Sequence, residues 1–394
     1  STLSGEKYNF SRLREWSDNK EPLEVVINDV DEANIKKGDY IWERFNDFIP
    51  FNNIDKKFSL GEGNTPILRA NKKLQSYCDL KNIFLKNETQ NPTWSFKDRG
   101  SLACVWMAKA MEENVTATIS TGNMGNSISA YGAKAGLKTV IFLPEFTPQE
   151  KIAAIGIHGA QIYKVKAPDY SEMKKMILNY AEKIGLRVVS GNGAIRVEGY
   201  KLTAFEIYEQ FSGNLPYYIA VPTSACGHIR GLFKGFKELK KAGYIERLPK
   251  MIVVQAENNS PIVKAIKENK KHIIEEANVN TIAEAITSGS PYGGDEIIKK
   301  AYKYNWLAEN VSEKEIVKSQ KLLARNGLFV EGASATSLAA IKKLRAKNLL
   351  KKDDNIMIML TGSGLKDFEI VKDYNFEINN VNIDSIEEWF AENE

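Results

Sequence analysis

Residues 91–100 read NPTWSFKDRG and set one lysine, Lys97, between a phenylalanine and an aspartate, after a proline turn and before an apolar helical segment. A lysine near a helix N-terminus and partly withdrawn from water has its neutral amine favoured. A neutral amine is what imine formation with a carbonyl needs. The plain alternative is a surface Lys–Asp pair. Other stretches offer anion or hydrogen-bond chemistry. In STGNMGNSISAYGAKAGL the segment Thr121, Gly122, Asn123, Met124 and Gly125 is a Gly-rich turn whose amides can hold a carboxylate, with a helix expected from about Asn126 to Gly136. In SACGHIRGLFKGFKEL the amides of Ser224, Ala225, Cys226, Gly227 and His228 can wrap a phosphate, although GxxxxGKS/T is absent and the loop is no Walker motif. Cys226 and His228 are too close in sequence to read as a catalytic pair. TGSGLKD puts Thr361 and Ser363 at a strand end. Taken singly, each loop also reads as a tight turn. Together they place an imine lysine, an anion loop, a phosphate loop and a polar strand end where one cofactor can touch all four. Pyridoxal phosphate carries the matching handles: an aldehyde, a phosphate, a ring hydroxyl and a ring nitrogen.

The elements that must position these loops alternate between strand and helix. IFLKNE (83–88), TATIS (116–120), TVIFLP (139–144), AQIYKV (160–165), RVVS (187–190), YYIAVPT (217–223), MIVVQAE (251–257) and IMIMLTG (356–362) read as strands, each followed by helical spacing. Apolar strands in such alternation form parallel sheets covered on both faces, an α/β architecture. Ligands then bind at the carboxyl ends of the strands. The close crossings at 115–204 suggest a compact four-strand unit inserted in a larger one. The expected division is 1–114 and 205–394 for a large cofactor domain, with 115–204 a small mobile α/β domain. The first fifty residues, acidic and spotted with aromatics, are expected to be mostly helical and packed on the larger lobe.

At 394 residues the chain is longer than one compact unit usually holds, so two lobes are expected. A balance of 54 basic against 50 acidic residues argues against nucleic acid, and the short lysine runs read as solvated faces. The cysteines (Cys78, Cys104, Cys226) and the histidines (His158, His228, His272) show no metal-ligand spacing, so no metal is expected, and an odd cysteine count argues against a disulfide scaffold. A polar start and the lack of any apolar run near membrane length point to no membrane association and a reducing cytoplasm.

The order SLGEGNTPI (59–67), NPTWSFKDRG (91–100), STGNMGNSISAYGAKAGL (120–137), RVEGYKLTAFEI (196–207), VPTSACGHIRGLFKGFKEL (221–239), TIAEAITSGSP (281–291), VEGASATSLAAI (330–341) and LTGSGLKD (360–367) resembles the threonine synthase family within the fold-type II pyridoxal-phosphate enzymes. The resemblance implies two lobes of the tryptophan synthase β kind, each an open, mainly parallel sheet covered by helices. It implies a Schiff base on Lys97, which also shuttles protons. Asn123 would meet the ring hydroxyl, the 224–228 amides the cofactor phosphate, and Thr361 the pyridine nitrogen. Ser120, Thr121, Gly122, Asn123 and Met124 would hold the amino acid's carboxylate. Arg196 would bind the phosphate of O-phosphohomoserine, which the enzyme would convert with water to threonine. The partner is then a small amino-acid substrate, and because the family is often dimeric a homodimer is open.

Four departures fall on the substrate side. SACGH replaces a glycine–asparagine-rich loop. SGNGAIR stands for NSxNPxR, so Ser190 and Gly191 replace the first asparagine and the serine. TGSG lacks the histidine of TGHG, and Trp94 replaces a glycine. They leave a second reading: β-replacement or β-elimination on a serine derivative, as in cysteate or cysteine synthases. A non-catalytic binding protein is the third, and Lys97 argues against it.

Overall fold

The computed structural model describes residues 1–394 except 11–13, 52–53, 168–169, 277–279, 373, 375, 377, 379, 381, 386–390 and 392–394. Strands β1 (Ile67–Arg69) and β2 (Asn82–Asn87) open a larger sheet. Strands β3 (Val115–Ile119), β4 (Lys138–Pro144) and β5 (Gln161–Val165) form a smaller one. Strands β6 (Tyr218–Pro222), β7 (Lys250–Ala256), β8 (Leu307–Val311) and β9 (Asn355–Leu360) complete the larger. The larger sheet runs β1-β2-β9-β6-β7-β8 and the smaller β3-β4-β5. Every pairing is parallel except β1 with β2. β6 is buried throughout, as a Val/Ile-type strand covered on both faces should be.

The chain passes from β2 through the helix Lys97–Ala110 into the smaller sheet, and returns to β6 through the helix Ala194–Gln210. These two helices touch backbone to backbone at Gly199, where a Cβ would lie 2.1 Å from the Arg99 carbonyl oxygen. Glycine is therefore the residue that allows this crossing. No helix of the described residues is long and apolar enough to cross a membrane.

Two expectations fail in physically informative ways. RVVS contributes only an isolated bridge, Ala117 with Val188, so the smaller sheet has three strands rather than four. Val189 donates to the Ala117 carbonyl, but the glycine-bearing stretch that follows turns the chain away before a second rung forms. The described part of the first fifty residues is not mostly helical. It holds a four-residue helix, Ile41–Arg44, and short 3-10 turns at Val30–Glu32 and Asn46–Phe48. Its aromatics do not line a helix face. They plug the core: Phe45 stacks on Phe205 at 4.5 Å and Trp42 meets Trp106 edge-on at 5.3 Å.

Beneath the Lys97 helix lies a buried charge network. Arg99 Nε donates to Glu88 Oε2 at 2.7 Å, and its Nη1 donates to Glu206 Oε1 at 2.6 Å. Lys86 Nζ donates to Glu206 Oε2 at 2.8 Å and to the Thr65 carbonyl at 2.8 Å. Burial would raise the Glu206 carboxyl, but Arg99 and Lys86 together hold it well below the usual carboxylate range. A lowered native pKa means stabilisation that is complete above the ordinary value of 4.5 and is lost as pH falls further. Replacing Arg99 with leucine strands the Glu88 carboxylate in the interior without its cation. We expect Arg99→Leu to cost about 3–5 kcal/mol, read as a fall in the urea unfolding midpoint at pH 7.

Candidate active site

Lys97 is the first residue of its helix, and the turn before it is laced to the end of β9. Phe96 donates from its backbone N to the Thr361 carbonyl at 3.0 Å, and Ser363 donates to the Trp94 carbonyl at 3.0 Å. The surface Lys–Asp pair is not formed. Asp98 is buried and accepts from the Thr93 backbone at 2.6 Å and from Ser127 Oγ at 2.6 Å. Lys97 is partly exposed and forms no ion pair among the described residues. Its Nζ lies 4.3 Å from the Phe96 ring centroid and 5.9 Å from that of Tyr200. Burial pushes its amine down to about 7, helped by the positive charges of Arg196 and Lys366 against the opposing pull of Glu331.

Asn123 and Thr361 come together at Glu331. Asn123 Nδ2 donates to Glu331 Oε2 at 2.8 Å and Thr361 Oγ1 to Glu331 Oε1 at 3.2 Å. Burial pushes the Glu331 carboxyl up, against those hydrogen bonds and the charge of Lys366. Glu331 was missed in the sequence. The available signal is an acid directly ahead of the small-residue helix Gly332–Ala346, where it is the N-cap residue. The helix after β3 begins at Asn123, three residues earlier than expected, and ends at Lys134. Ser120 Oγ closes that turn by accepting from the amides of Gly122 at 3.3 Å and Gly125 at 3.0 Å. Thr121, Asn123 and Met124 stay partly exposed and Gly122 is exposed, so the turn is open to a ligand.

The loop 224–228 leads into the helix Gly227–Lys241, whose first-turn amides have no intrahelical partner. The Ser224 hydroxyl turns away, donating to the Thr287 carbonyl at 3.3 Å. Cys226 is buried with φ +75°, and burial pushes its thiol up, which disfavours a nucleophilic thiolate. His228 stacks on Phe96 at 4.0 Å, and neither ring nitrogen has a hydrogen-bond partner. Burial pushes its imidazole down to about 3, so the ring is neutral.

Arg196 is also buried. Its Nε donates to the Ser190 carbonyl at 3.0 Å and its Nη1 to Ser101 Oγ at 3.1 Å, whereas Nη2 is unbonded. Tyr200 lies one turn further on, with its hydroxyl likewise unbonded and burial pushing its phenol up to about 12. Sequence reading passed over Tyr200, although its i, i+4 spacing from Arg196 puts both on one helix face. Ser224 and Ala225 are partly exposed, and Trp94 is half-exposed.

The residues present fit pyridoxal phosphate. A poorly protonated amine suits an aldehyde. The helix-start amides beside an unpartnered, neutral His228 suit a phosphate, and the polar pair Asn123 and Thr361 suits the edges of a ring.

Comparison with known proteins agrees. Residues 58–362 match the family model described as pyridoxal-phosphate dependent enzyme. The threonine synthase of Methanocaldococcus jannaschii is 37% identical over 347 residues, covering 87% of this chain and 85% of that protein. The threonine synthase of Halalkalibacterium halodurans is 34% identical over 330 residues, covering 82% of this chain and 89% of that protein. Among solved structures, threonine deaminase isoform 2 of Solanum lycopersicum superposes with a TM-score of 0.65 at 21% identity, covering 79% and 88% of the two chains. An L-serine ammonia-lyase of Rhizomucor miehei gives 0.66 at 19% identity, covering 79% and 99%. At these identities the two structures speak for the fold alone.

Because the Lys97 amine must be neutral to attack, capture of pyridoxal phosphate by the cofactor-free protein is expected to depend on pH with one sign. The rate should rise about tenfold per unit below pH about 7 and level off above it, followed by stopped-flow absorbance. Lys97→Ala should leave no cofactor attached after borohydride reduction.

Proposed function

The chain belongs to the threonine synthase family of pyridoxal-phosphate dependent enzymes, and on that premise we propose that it converts O-phosphohomoserine and water to threonine and phosphate. The observation that carries this reading is Arg196. It is a buried guanidinium that makes no ion pair among the described residues, with the Tyr200 phenol facing it and Glu15 acting on its charge from further off; its Nη2 has no hydrogen-bond partner, and it lies close enough to Lys97 to depress that amine. Burying such a cation unpaired is costly, so the site calls for an anion. A substrate phosphate supplies one, and a guanidinium is well matched to it.

Bound through Lys97, pyridoxal phosphate supplies an electron sink for chemistry at the substrate's α, β and γ carbons. The amides at the start of the Gly227–Lys241 helix hold its phosphate, and His228 offers a ring N–H beside them. Asn123 and Thr361 hold its ring edges, and Glu331 fixes the direction of both side chains. The exposed Ser120–Met124 turn binds the substrate carboxylate. Lys97 Nζ, with an amine near neutrality, takes up and returns protons at the substrate's carbons. Arg196 holds the phosphate whose bond to the γ carbon breaks, and water then adds its hydroxyl to the β carbon. Residues 115–204 form the small mobile domain between 1–114 and 205–394, and its approach to the larger sheet excludes bulk water from the site. Three free, buried cysteines fit a reducing, cytoplasmic setting.

With O-phosphohomoserine, the purified holoenzyme should release phosphate and form threonine in equal amounts. Arg196→Met should lower kcat/KM by about two to three orders of magnitude while leaving the cofactor's visible band unchanged. Turnover confined to O-phosphoserine or O-acetylserine would replace this reading with β-chemistry on a serine derivative.

A further inference from the structure

The loop that carries Arg196 is held from outside by a segment far away in the chain. Ser190 donates its backbone N–H to Glu15 Oε2 at 2.9 Å, while its carbonyl accepts from Arg196 Nε at 3.0 Å. Glu15 therefore grips the residue that orients the guanidinium. The loop is shaped to admit it. A Cβ at Gly193 would lie 2.1 Å from Glu15 Oε2 and 2.8 Å from its Cδ. The backbone there is ordinary, with φ −59° and ψ 152°, so glycine is present for room and not for conformation. In the related pattern NSxNPxR, position 193 is the second asparagine, and here the Glu15 carboxylate fills its place.

The segment bearing Glu15 is itself anchored on both sides of the loop. Trp16 stacks on Tyr292 at 5.0 Å, and Lys174 Nζ lies 5.0 Å from the centroid of that same ring. Arg230 donates through Nη2 to the Leu23 carbonyl at 2.6 Å and through Nη1 to the Asn192 carbonyl at 2.5 Å. One buried arginine thus ties the N-terminal segment to the loop, and Glu15 ties the loop to the segment.

We propose that Glu15 is a positioning residue for the substrate's phosphate: it fixes Ser190 so that Arg196 Nη2 is aimed at the anion. This rests on the phosphate-binding role proposed above for Arg196. It gives the segment around Glu15 a part in substrate recognition.

The test uses the full-length holoenzyme and the variants Glu15→Ala, Glu15→Gln, Gly193→Ala and the double variant Glu15→Ala with Gly193→Ala. Two quantities are read: kinetics with O-phosphohomoserine, and the Kd for inorganic phosphate by calorimetry. For Glu15→Ala we expect KM and the phosphate Kd to rise about tenfold with kcat within about twofold, as loss of one charge-assisted hydrogen bond behind a binding group predicts. Glu15→Gln keeps an oxygen acceptor for Ser190 and should stay within about threefold of the wild type. Gly193→Ala expels the carboxylate and should match Glu15→Ala, and the double variant should be no worse than either single one. Unchanged KM and Kd in Glu15→Ala overturn the proposal. So does a joint loss of kcat, KM and cofactor absorbance that glutamine fails to rescue, because that is a purely structural role. If the wild type does not turn over O-phosphohomoserine, the reaction assigned above fails, and the phosphate Kd series still decides the role of Glu15.

Discussion

The arrangement of this protein depends on one buried fork. Arg99, two residues after Lys97, places its guanidinium between Glu88 and Glu206, with all three side chains withdrawn from water. Those carboxylates belong to the chain after β2 and to the helix that returns from the smaller sheet. The start of the Lys97 helix is therefore fixed against both connections between the sheets. A hydrophobic contact would allow the helix to slide. A bidentate charge pair in a low-dielectric interior permits only one register. Lys97 inherits its position from that register.

The site above this fork is arranged to keep its central amine uncharged. Three influences lower the affinity of Lys97 for a proton: burial, Arg196 and Lys366. The acid that opposes this, Glu331, is engaged with other partners. Its two oxygens accept from Asn123 and Thr361, and burial biases it toward its protonated form. A Lys97–Glu331 ion pair would have held the amine charged. Instead both groups shift toward neutrality, and the leftover positive charge on Arg196 becomes a demand for an incoming anion.

Most of this machinery was legible in the sequence because it is local. Lys97, the Ser120–Gly125 turn, the 224–228 loop and Thr361 lie at the ends of strands whose apolar runs announce them, and their glycines mark the turns. What stayed hidden arises from contacts between distant segments. Glu331 is one acid among many until β9 brings Thr361 to it. Tyr200 is one aromatic of an apolar helix until Phe96 and His228 close around it. The N-terminal segment, acidic and spotted with aromatics, is expected to be mostly helical, but Trp42, Phe45 and Phe48 are instead held by tertiary packing against Trp106 and Phe205. RVVS has strand propensity, yet it makes only a single bridge before the Arg196 loop leaves the sheet.

The departures from the family pattern follow the same division between local and distant causes. Trp94 stands in the left-handed region, φ +61°, a conformation that favours glycine, and it is half-exposed. It is a local strain at the turn, held by the ladder to residues 361–363. Ser363, where a histidine is usual, is spent on capping: its Oγ accepts from the Leu365 amide at 3.2 Å. The SGNGAIR loop differs in kind. The space beside Gly193 is filled by Glu15 from one direction while Arg230 holds the backbone from another. Within the loop the Ser190 hydroxyl donates to Asn192 Oδ1 at 3.2 Å, so its order comes from its own polar side chains and from distant segments together. In the folded chain, the backbone of Ser190 and Asn192 is held by groups 175 and 38 residues away, and Arg196 remains oriented.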